Sequence, residues 1–350
     1  MPSPPVTRHA EIPPGWDDLV RTHGTFYHDR RWINEVARCF RYPLHVLTTA
    51  APDGALTGGV ALAEVPTLLR ARRLVSFPFS FIAGPLAVDA ATHLALAEAS
   101  RQLAADLRVR RLELKQLDAS VPAASGFVRS TRYTTFRIPT EGGEQAVWKR
   151  LHVTSTQQRI RKGQKAGVTV GDGHSADDWL AMARLEERVQ QGHGVPAPPR
   201  HFFLESLRRL QQAGLVDLYL ARIPDGRVAA GFVMFKGLRE WIYAFSASDP
   251  GLVREYRATH VLLWTGLQRA IAAGVTLDLG RTAPEQATLA EFKQRWGAEP
   301  VPLAYDYWPG AGGLAQARRD RGPLALASRV WSALPAPLAR LGSALYRFLG

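Results

Sequence analysis

The sequence predicts an α/β (α+β) protein made of two similar domains, each with a mixed central sheet flanked by helices. Strand-like and helix-like hydrophobic periodicities alternate along the chain, and the same order of elements occurs in both halves. The composition, 46% hydrophobic and 21% charged residues, is that of a globular protein. A chain of 350 residues is also long for one core, so two domains are expected.

Each half contains four predicted elements in the order strand, strand, helix, strand. In the first half these are residues 58–65, 72–85, 89–107 and 110–117. In the second half they are residues 227–235, 240–248, 257–273 and 275–280. This repetition indicates duplicated domains.

The segment between the two halves begins with a predicted domain junction at residues 137–143. It continues with further predicted elements: a helix at 144–167, a strand at 168–170, and helices at 177–189 and 201–214. Prolines in residues 193–199 exclude a helix there. The predicted organisation has four parts: an N-terminal extension (1–24), a first domain (25–140), a second domain (141–309) and a C-terminal tail (310–350).

The chain is strongly basic, with 44 Lys and Arg against 31 Asp and Glu, a net charge of +13. Such a surface attracts nucleic acid, anionic lipid or phosphorylated substrates, although GC-rich codon usage also raises the arginine content. The single cysteine, Cys39, excludes an intramolecular disulfide and a multi-cysteine metal site. No His, Cys and carboxylate spacing indicates a metal site, so we expect none.

The first 16 residues lack the apolar core of a signal peptide. Since no run of 18 apolar residues occurs, we expect no membrane-spanning helix and a cytoplasmic location. Residues 315–350 are basic and have helical apolar spacing. They are predicted either to contact an anionic membrane, on its inner face, or to pack on their own domain.

The most informative stretch is residues 274–300, a short apolar strand followed by a polar loop and a short helix. On a helical wheel that takes Leu289 as its zero, Phe292 and Trp296 fall on one side and Lys293 falls on the other. Lys293 is therefore expected at the edge of the buried face. A partly desolvated ammonium there requires an anionic partner, which predicts a site.

Two strand ends supply further candidates. Asp278 ends a predicted buried strand beside Arg281, at the position where α/β folds bind ligands. The alternative is that the two residues form a structural ion pair. Tyr243 and Ser246 lie on the strand before the helix 257–273, where the tyrosine could instead simply pack.

Cations and histidines complete the set of candidates. Arg161, Lys162 and Lys165 belong to a cationic cluster suited to phosphate contact, with a solvated helical face as the alternative. His193 precedes a glycine in a loop, where a site residue is plausible. His260 shares a helix face with apolar residues and is interpreted as a hydrogen-bonded core histidine.

The sequence resembles the FemAB-like N-acyltransferases, often called BioF2-like, which are built from two GNAT-type domains. The resemblance covers residues 25–309. It rests on the segments LVSFPFSFIAGPL (74–86), IRKGQKAGVTV (160–170), HGVPAPPRHFF (193–203), ATHVLLWTGLQRAIAAGVTLDLGRT (258–282) and LAEFKQRWGAEPVPLAYDYWP (289–309).

This resemblance implies two tandem GNAT-like domains, followed by the basic amphipathic tail that the composition of residues 310–350 indicates. Characterised relatives transfer an aminoacyl group from aminoacyl-tRNA to an amine of a peptidoglycan precursor. Their phenylalanine–lysine pair matches Phe292-Lys293, which implies that Lys293 contacts a phosphate or carbonyl oxygen of the substrate.

The sequence also departs from the family pattern. The long helical arm of the tRNA-dependent members has no counterpart. Gln190, Gln191 and Gly192 replace arginines that are common before the His-Gly pair. The glycines of the GNAT pyrophosphate loop are missing from residues 254–259, so neither kind of donor is settled by the resemblance.

We therefore expect an N-acyltransferase that uses acyl-CoA or aminoacyl-tRNA as co-substrate, without a tightly bound cofactor, and acts on a primary amine of a cell-envelope or exopolysaccharide precursor. Lys293 and Arg281 would polarise the carbonyl or anchor phosphate, with Asp278 or Tyr243 assisting proton removal.

The substrate-binding residues are expected to be Arg161, Lys162, Lys165, His193, Ser246, Phe292 and Trp296. The alternatives are a tRNA-dependent peptidoglycan-bridge transferase and a non-catalytic scaffold in polysaccharide or protein export. The oligomeric state stays open.

Overall fold

The structure, a computed structural model, divides into two compact units. It describes residues 4–67, 71–121, 123–308 and 342–350. The first unit comprises residues 4–133, 302–308 and 347–350, and the second comprises residues 134–301 and 342–346.

The first unit combines a mixed sheet with three helices. Its strands are β1 (Thr7–His9), β2 (Leu44–Ala50), β3 (Leu56–Pro66), β4 (Arg72–Val75), β5 (Leu86–Ala87) and β6 (Arg111–Lys115). Its helices are α1 (Trp16–His23), α2 (Arg30–Phe40) and α3 (Ala90–Asp106), with a 3₁₀ turn at Phe26–His28. The strands follow the order β1-β2-β3-β4-β6, with β5 paired to β3, and the pair β4–β6 is parallel.

Helix α1 belongs to the core of the first unit, so the prediction that residues 1–24 form an extension is wrong. Trp16 is fully buried, and its indole Nε1 donates a hydrogen bond to the His28 carbonyl at 2.8 Å. A Cβ on Gly59 of β3 would lie only 2.6 Å from the Trp16 ring. One large aromatic side chain therefore anchors the beginning of the chain against the sheet, because it removes much apolar surface from water.

The predicted strand 72–85 is correct only as far as Val75. Phe77 and Phe79, on either side of Pro78, have positive φ values of 63° and 57°, which no strand accommodates. We call residues 76–81 the aromatic loop. The buried ammonium of Lys115 donates to the carbonyls of Phe77 (2.9 Å) and Ser80 (2.8 Å), and this fixes the aromatic loop over the end of β6.

The second unit repeats the architecture with a longer sheet. Its strands are β7 (Val128–Ile138, which begins in the first unit), β8 (Thr169–Gly173), β9 (Val216–Arg222), β10 (Val228–Lys236), β11 (Glu240–Ser248) and β12 (Thr276–Asp278). Its helices are α4 (Gly143–Arg150), α5 (Gln158–Lys165), α6 (Ala176–Gly192), α7 (Arg208–Gln212), α8 (Pro250–Tyr256), α9 (Ala258–Ala272) and α10 (Ala287–Gln294). Single π-helical turns, Val153–Gln157 and Phe202–Leu207, lead into α5 and α7. The strand order is β7-β12-β11-β10-β9-β8.

The predicted helix 144–167 is two helices. Leu151 has extended backbone angles, and the imidazole of His152 caps the next turn by accepting from the Ser155 amide at 3.2 Å. The Gln157 side chain donates to the Trp148 and Leu151 carbonyls, both at 3.0 Å, which satisfies the end of α4. Local capping therefore breaks a segment whose apolar spacing is continuous.

Each unit contains a parallel strand pair joined by a crossover helix: β4 and β6 through α3, and β11 and β12 through α9. The predicted repetition of strand, helix and strand is thereby confirmed, as is the α/β fold class. Helix α9 packs tightly on the sheet, because a Cβ on Gly266 would lie 2.4 Å from the Phe232 ring.

The unit boundaries differ from the predicted ones. Arg137 and Ile138 already pair with β12, so the junction region belongs to the second unit. The last strand, β13 (Glu299–Trp308), pairs with β6 through residues 305–308, which places residues 302–308 in the first unit.

Most of the predicted tail, residues 309–341, lies outside the described residues. Its contact with an anionic membrane therefore stays a prediction. The described part contains a 3₁₀ helix, Gly342–Phe348. Within the described ranges, no helix has both the length and the apolarity needed to cross a bilayer.

We predict that Gly266→Ala lowers the free energy of unfolding by about 1–3 kcal/mol, because the added methyl overpacks the contact between α9 and Phe232. Gly192→Ala, at the exposed end of α6 with no atom within 4 Å of the new Cβ, is the matched control and should change it by less than about 1 kcal/mol. Urea unfolding curves measure both. Equal effects of the two substitutions would contradict this packing.

Candidate active site

The candidate site lies where the parallel pair β11–β12 ends. The pairing covers three residue pairs, the last of which is Ile242 with Asp278. Strand β11 continues to Ser248, but the chain leaves β12 through Gly280, whose φ of +80° is left-handed. The Gly280 turn stays close to β11, because a Cβ there would lie 3.8 Å from the Tyr243 carbonyl oxygen.

Asp278 is fully buried, and its carboxyl group accepts hydrogen bonds from three donors. It accepts hydrogen bonds from the Thr135 hydroxyl (2.5 Å), the Gly280 amide (2.7 Å) and the Arg137 guanidinium (3.2 Å). Burial raises the pKa of Asp278, whereas these three donors act in the opposite direction. Three donors from different parts of the chain therefore hold the Asp278 carboxyl group in place at the end of the strand.

Arg137 connects this carboxylate to a second one. Its guanidinium lies 3.0 Å from Glu240 Oε2 and 3.2 Å from Asp278 Oδ2. Burial raises the pKa of Glu240 to about 7, against the attraction of Arg137. Arg137 thus forms an ion pair with Asp278, and Arg281 lies exposed after the Gly280 turn.

Lys293 brings a positive charge to the same turn. Its ammonium donates to the Gly280 carbonyl (2.7 Å) and the Thr282 hydroxyl (2.8 Å), and it lies 5.5 Å from the centroid of the Phe136 ring. Burial lowers the pKa of Lys293 to about 8, although the nearby Asp278 carboxylate opposes this shift. An ammonium has three N–H donors, so one is left to meet a ligand.

Helix α10 holds Lys293 deeper than the sequence indicated. Trp296 is fully buried and Lys293 is 4% exposed, whereas Leu289, the assumed centre of the apolar face, is 37% exposed. The prediction that Lys293 lies at the edge of the buried face is therefore wrong: it lies within that face. The other side of α10 lines a shallow cavity of 420 Å³ together with Arg150 and His152.

Tyr243 and Ser246 face the same side of β11. Their hydroxyl oxygens are 2.5 Å apart, and the Tyr243 ring packs on Phe232 with centroids 4.6 Å apart. Burial raises the pKa of Tyr243 to about 12, against the hydrogen bond with Ser246. The tyrosine hydroxyl is therefore neutral at physiological pH and is a proton donor.

The predicted cationic cluster lies on α5, with Arg161, Lys162 and Lys165 exposed. Helix α5 crosses the beginning of α9 at Gly163, where a Cβ would lie 2.5 Å from Val261 and 2.9 Å from the Tyr256 carbonyl. Gly163 thus faces α9, whereas Arg161 and Lys165 lie on the opposite, exposed face of α5.

His260, on the first turn of α9, is half-buried rather than in the core. Its ring packs against those of Phe292 and Trp296, with centroid distances of 6.1 and 6.0 Å. Burial lowers the pKa of His260 to about 4, and the positive charges of Arg159 and Arg257 contribute. The imidazole is therefore neutral. His193, by contrast, is exposed at the end of α6.

The structure thus brings Lys293 and Asp278 together at the Gly280 turn, with Tyr243 on the adjoining strand. The residues that sequence reasoning missed are Thr135 and Arg137 on β7, and Thr282. Nothing in the local pattern of β7 distinguishes them, because their partners lie about 140 residues further along the chain.

Glu186 is a further buried carboxyl that the sequence did not single out. It lies on the side of α6 that packs against β10 and β11, is 4% exposed, and accepts from the Gln190 amide at 2.7 Å. Burial raises the pKa of Glu186 to about 7. Its neighbour Glu187 instead forms a two-pronged ion pair with Arg200, at 2.5 and 2.8 Å.

Residues 152–294 match the family model described as Acetyltransferase (GNAT) domain. A search of curated proteins gives no match.

Several solved structures share the fold. The crystal structure of FemX has a TM-score of 0.67 at 13% identity, covering 86% of this chain and 96% of that one. The C-terminal domain of a putative lysylphosphatidylglycerol synthetase from Agrobacterium fabrum has a TM-score of 0.59 at 14% identity, covering 87% and 94%. L-PGS from Bacillus licheniformis has a TM-score of 0.57 at 10% identity, covering 93% and 98%. The FemAB-like fold expected from the sequence is therefore confirmed.

We predict that Glu186→Gln raises the free energy of unfolding, relative to the unchanged protein, by more at pH 8 than at pH 5. The pKa of this carboxyl is raised on folding, so its contribution to stability is complete below about pH 4.5 and is lost as the pH rises to about 7. Glutamine does not ionise, so the variant avoids this decrease in the free energy of unfolding, which is about 2–3 kcal/mol. Urea unfolding of both proteins at the two pH values measures it.

Glu187→Gln is the matched control, because its carboxylate is paired with Arg200. It should not reproduce the pH-dependent gain. If the effect of Glu186→Gln is the same at pH 5 and pH 8, Glu186 is not a buried carboxyl with a raised pKa.

Proposed function

We propose that the chain transfers an acyl or aminoacyl group from an activated thioester or ester to a primary amine, because residues 152–294 match the acetyltransferase (GNAT) domain model. The amine is proposed to belong to a cell-envelope or exopolysaccharide precursor. The observation that carries this proposal is the buried Lys293 ammonium at the end of the parallel pair β11–β12.

In this reaction the amine nitrogen forms a bond to the carbonyl carbon, and the bond from that carbon to the leaving sulfur or oxygen breaks. Negative charge develops on the carbonyl oxygen between these two events. The remaining N–H of Lys293 would donate to that oxygen. A preorganised donor in a site of low dielectric stabilises such charge more than water does.

Asp278 and Arg137 would act as positioning residues. Three donors already occupy the Asp278 carboxylate, so it is poorly suited to remove a proton from the amine. The carboxylate instead fixes the Gly280 turn, whose carbonyl orients Lys293. Its negative charge also favours the protonated form of Lys293.

Tyr243 would supply the proton to the leaving group. Its hydroxyl is neutral near pH 7 and lies 2.5 Å from Ser246, which orients it. The proton lost by the attacking amine would pass to solvent or to a group of the substrate.

An anionic donor would be anchored by Arg161, Lys162 and Lys165, which are exposed on α5. Exposed cations bind phosphate groups through charge-assisted hydrogen bonds. Phe292 and Trp296 would form an apolar wall next to Lys293. Arg281 and His193, both exposed, would contact the substrate at the surface.

We predict that Lys293→Met lowers kcat/KM by about 100-fold or more while the fold is retained, because the developing oxyanion loses its donor. Lys149→Met, on the exposed face of α4, is the matched control and should leave kcat/KM unchanged. Activity is followed by mass spectrometry of acylated amines and by thiol release, with a panel of acyl-CoA esters as donors. A fully active Lys293→Met protein with an unchanged melting temperature would contradict the proposal.

A second candidate is aminoacyl transfer from aminoacyl-tRNA. The net charge of +13 and the cationic face of α5 favour a polyanionic donor. Among the proteins with this fold, one is named as a putative lysylphosphatidylglycerol synthetase. The two candidates share the chemistry at Lys293 and differ only in the donor.

For a tRNA donor, we predict that the triple variant Arg161→Ala, Lys162→Ala, Lys165→Ala raises the donor KM by about tenfold or more and weakens its salt dependence, because fewer counterions are released. Arg184→Ala on the exposed face of α6 is the control for a general loss of charge. Nuclease treatment of the donor would abolish the activity. Activity that survives nuclease and requires acyl-CoA would exclude the tRNA donor.

A further inference from the structure

Residues 347–350 are bound to the first unit through their main chain. The Tyr42 hydroxyl donates to the Arg347 carbonyl at 2.6 Å. The Arg73 guanidinium donates to the Phe348 carbonyl at 3.1 Å and to the Gly350 carbonyl at 2.6 Å. Since all three acceptors belong to the main chain, these contacts are independent of the bound side chains.

The contact at Gly350 is closely fitted. A Cβ on Gly350 would lie 2.7 Å from Pro78 Cβ, 2.8 Å from the Tyr42 hydroxyl oxygen and 3.4 Å from the Phe79 ring. Real Cβ atoms do not approach other atoms so closely, so a larger residue requires a shift of the ring or of the aromatic loop. The fit therefore selects for a residue without a side chain at this position.

The surface that receives Gly350 is rigid. Phe40, Tyr42 and Phe79 pack together, with ring centroids 4.7 Å apart for Phe40 and Phe79 and 5.7 Å apart for Phe40 and Tyr42. The aromatic loop is held from below by the Lys115 ammonium and by the Ser80 hydroxyl, which donates to the Phe77 carbonyl at 2.6 Å. Backbone held at positive φ by such a network is a form of preorganisation found at ligand clamps.

The bound segment is partly exposed. None of the residues 342–350 is fully buried, and Ala344, Leu345 and Leu349 are exposed. The attachment includes three hydrogen bonds and one tight glycine contact. A complementary peptide supplied in solution offers the same carbonyl groups and therefore competes for the same donors.

We propose that Tyr42, Arg73, Pro78 and Phe79 form a peptide-binding cradle in the first unit, which takes a short peptide with glycine at the innermost position. Residues 347–350 occupy this cradle and act as an internal competitor for that ligand. The cradle recognises main-chain carbonyls and the absence of a side chain, and it is independent of the acyl-transfer chemistry proposed for the second unit.

The test uses the full chain and a fluorescent peptide that carries residues 342–350 with both ends capped, so that no terminal charge contributes. Gly350→Leu in the protein introduces a side chain that the cradle does not accommodate, which displaces the internal segment. Fluorescence anisotropy should show that the Gly350→Leu protein binds the peptide at least tenfold more tightly than the unchanged protein. The same peptide with leucine in place of its last glycine should not bind.

Arg73→Ala in the Gly350→Leu protein should abolish peptide binding, whereas Arg110→Ala, an exposed arginine next to β6, should leave it unchanged. Should Arg73→Ala impair folding, Tyr42→Phe removes one donor while keeping the ring and should weaken binding severalfold. The proposal is overturned if the Gly350→Leu protein binds the peptide no better than the unchanged protein. It is equally overturned if binding survives both the Arg73 and the Tyr42 substitutions.

Discussion

The ammonium of Lys293, buried at the end of the parallel pair β11–β12, is the constraint on which the chemistry proposed for the second unit depends. A charge removed from water is tolerated only where hydrogen-bond acceptors and opposite charge replace the lost hydration. The Gly280 carbonyl and the Thr282 hydroxyl supply the acceptors, and Asp278 supplies the charge. The Arg137 guanidinium pairs with the carboxylates of both Asp278 and Glu240. The burial of the lysine therefore depends on five groups, which come from three strands and a loop.

In each unit a parallel strand pair ends next to a buried lysine ammonium. The groups that bind this ammonium differ between the two units. In the first unit the lysine is Lys115, the last residue of β6, and its ammonium donates to main-chain carbonyls of the aromatic loop. In the second unit the strand ends in Asp278, and the lysine comes from α10. The second arrangement places a carboxyl group and a hydroxyl near the ammonium, in addition to a main-chain carbonyl.

Sequence reasoning predicted the parts of this arrangement that depend on local periodicity. The strands 228–236 and 240–248, the helix 258–272 and the position of Asp278 at a strand end all follow from apolar spacing and turn residues. Lys293 was identified as a site residue, but its depth was underestimated, because the wheel was centred on Leu289 and the buried face is centred on Trp296.

The features that were missed depend on distant parts of the chain or on single capping side chains. Thr135 and Arg137 reach Asp278 only because β7 pairs with β12, and no local pattern encodes that pairing. The break after α4 depends on His152 and Gln157, whose side chains satisfy backbone groups that a continuous helix would pair internally. The sequence of the aromatic loop predicts a strand, because its aromatic residues have high strand propensity. Pro78 and the positive φ values of its two neighbours prevent a strand there.

The most direct test of this account is an NMR titration of the lysine ammonium groups in protein labelled at lysine Cε, with Lys293→Met used to assign the resonance. A buried ammonium in this network should titrate near pH 8, well below the ordinary lysine value of about 10.4. The resonance should also be missing from the variant. A Lys293 resonance that titrates with the exposed lysines, near pH 10.4, would show that the ammonium is in water and would contradict its role at the site.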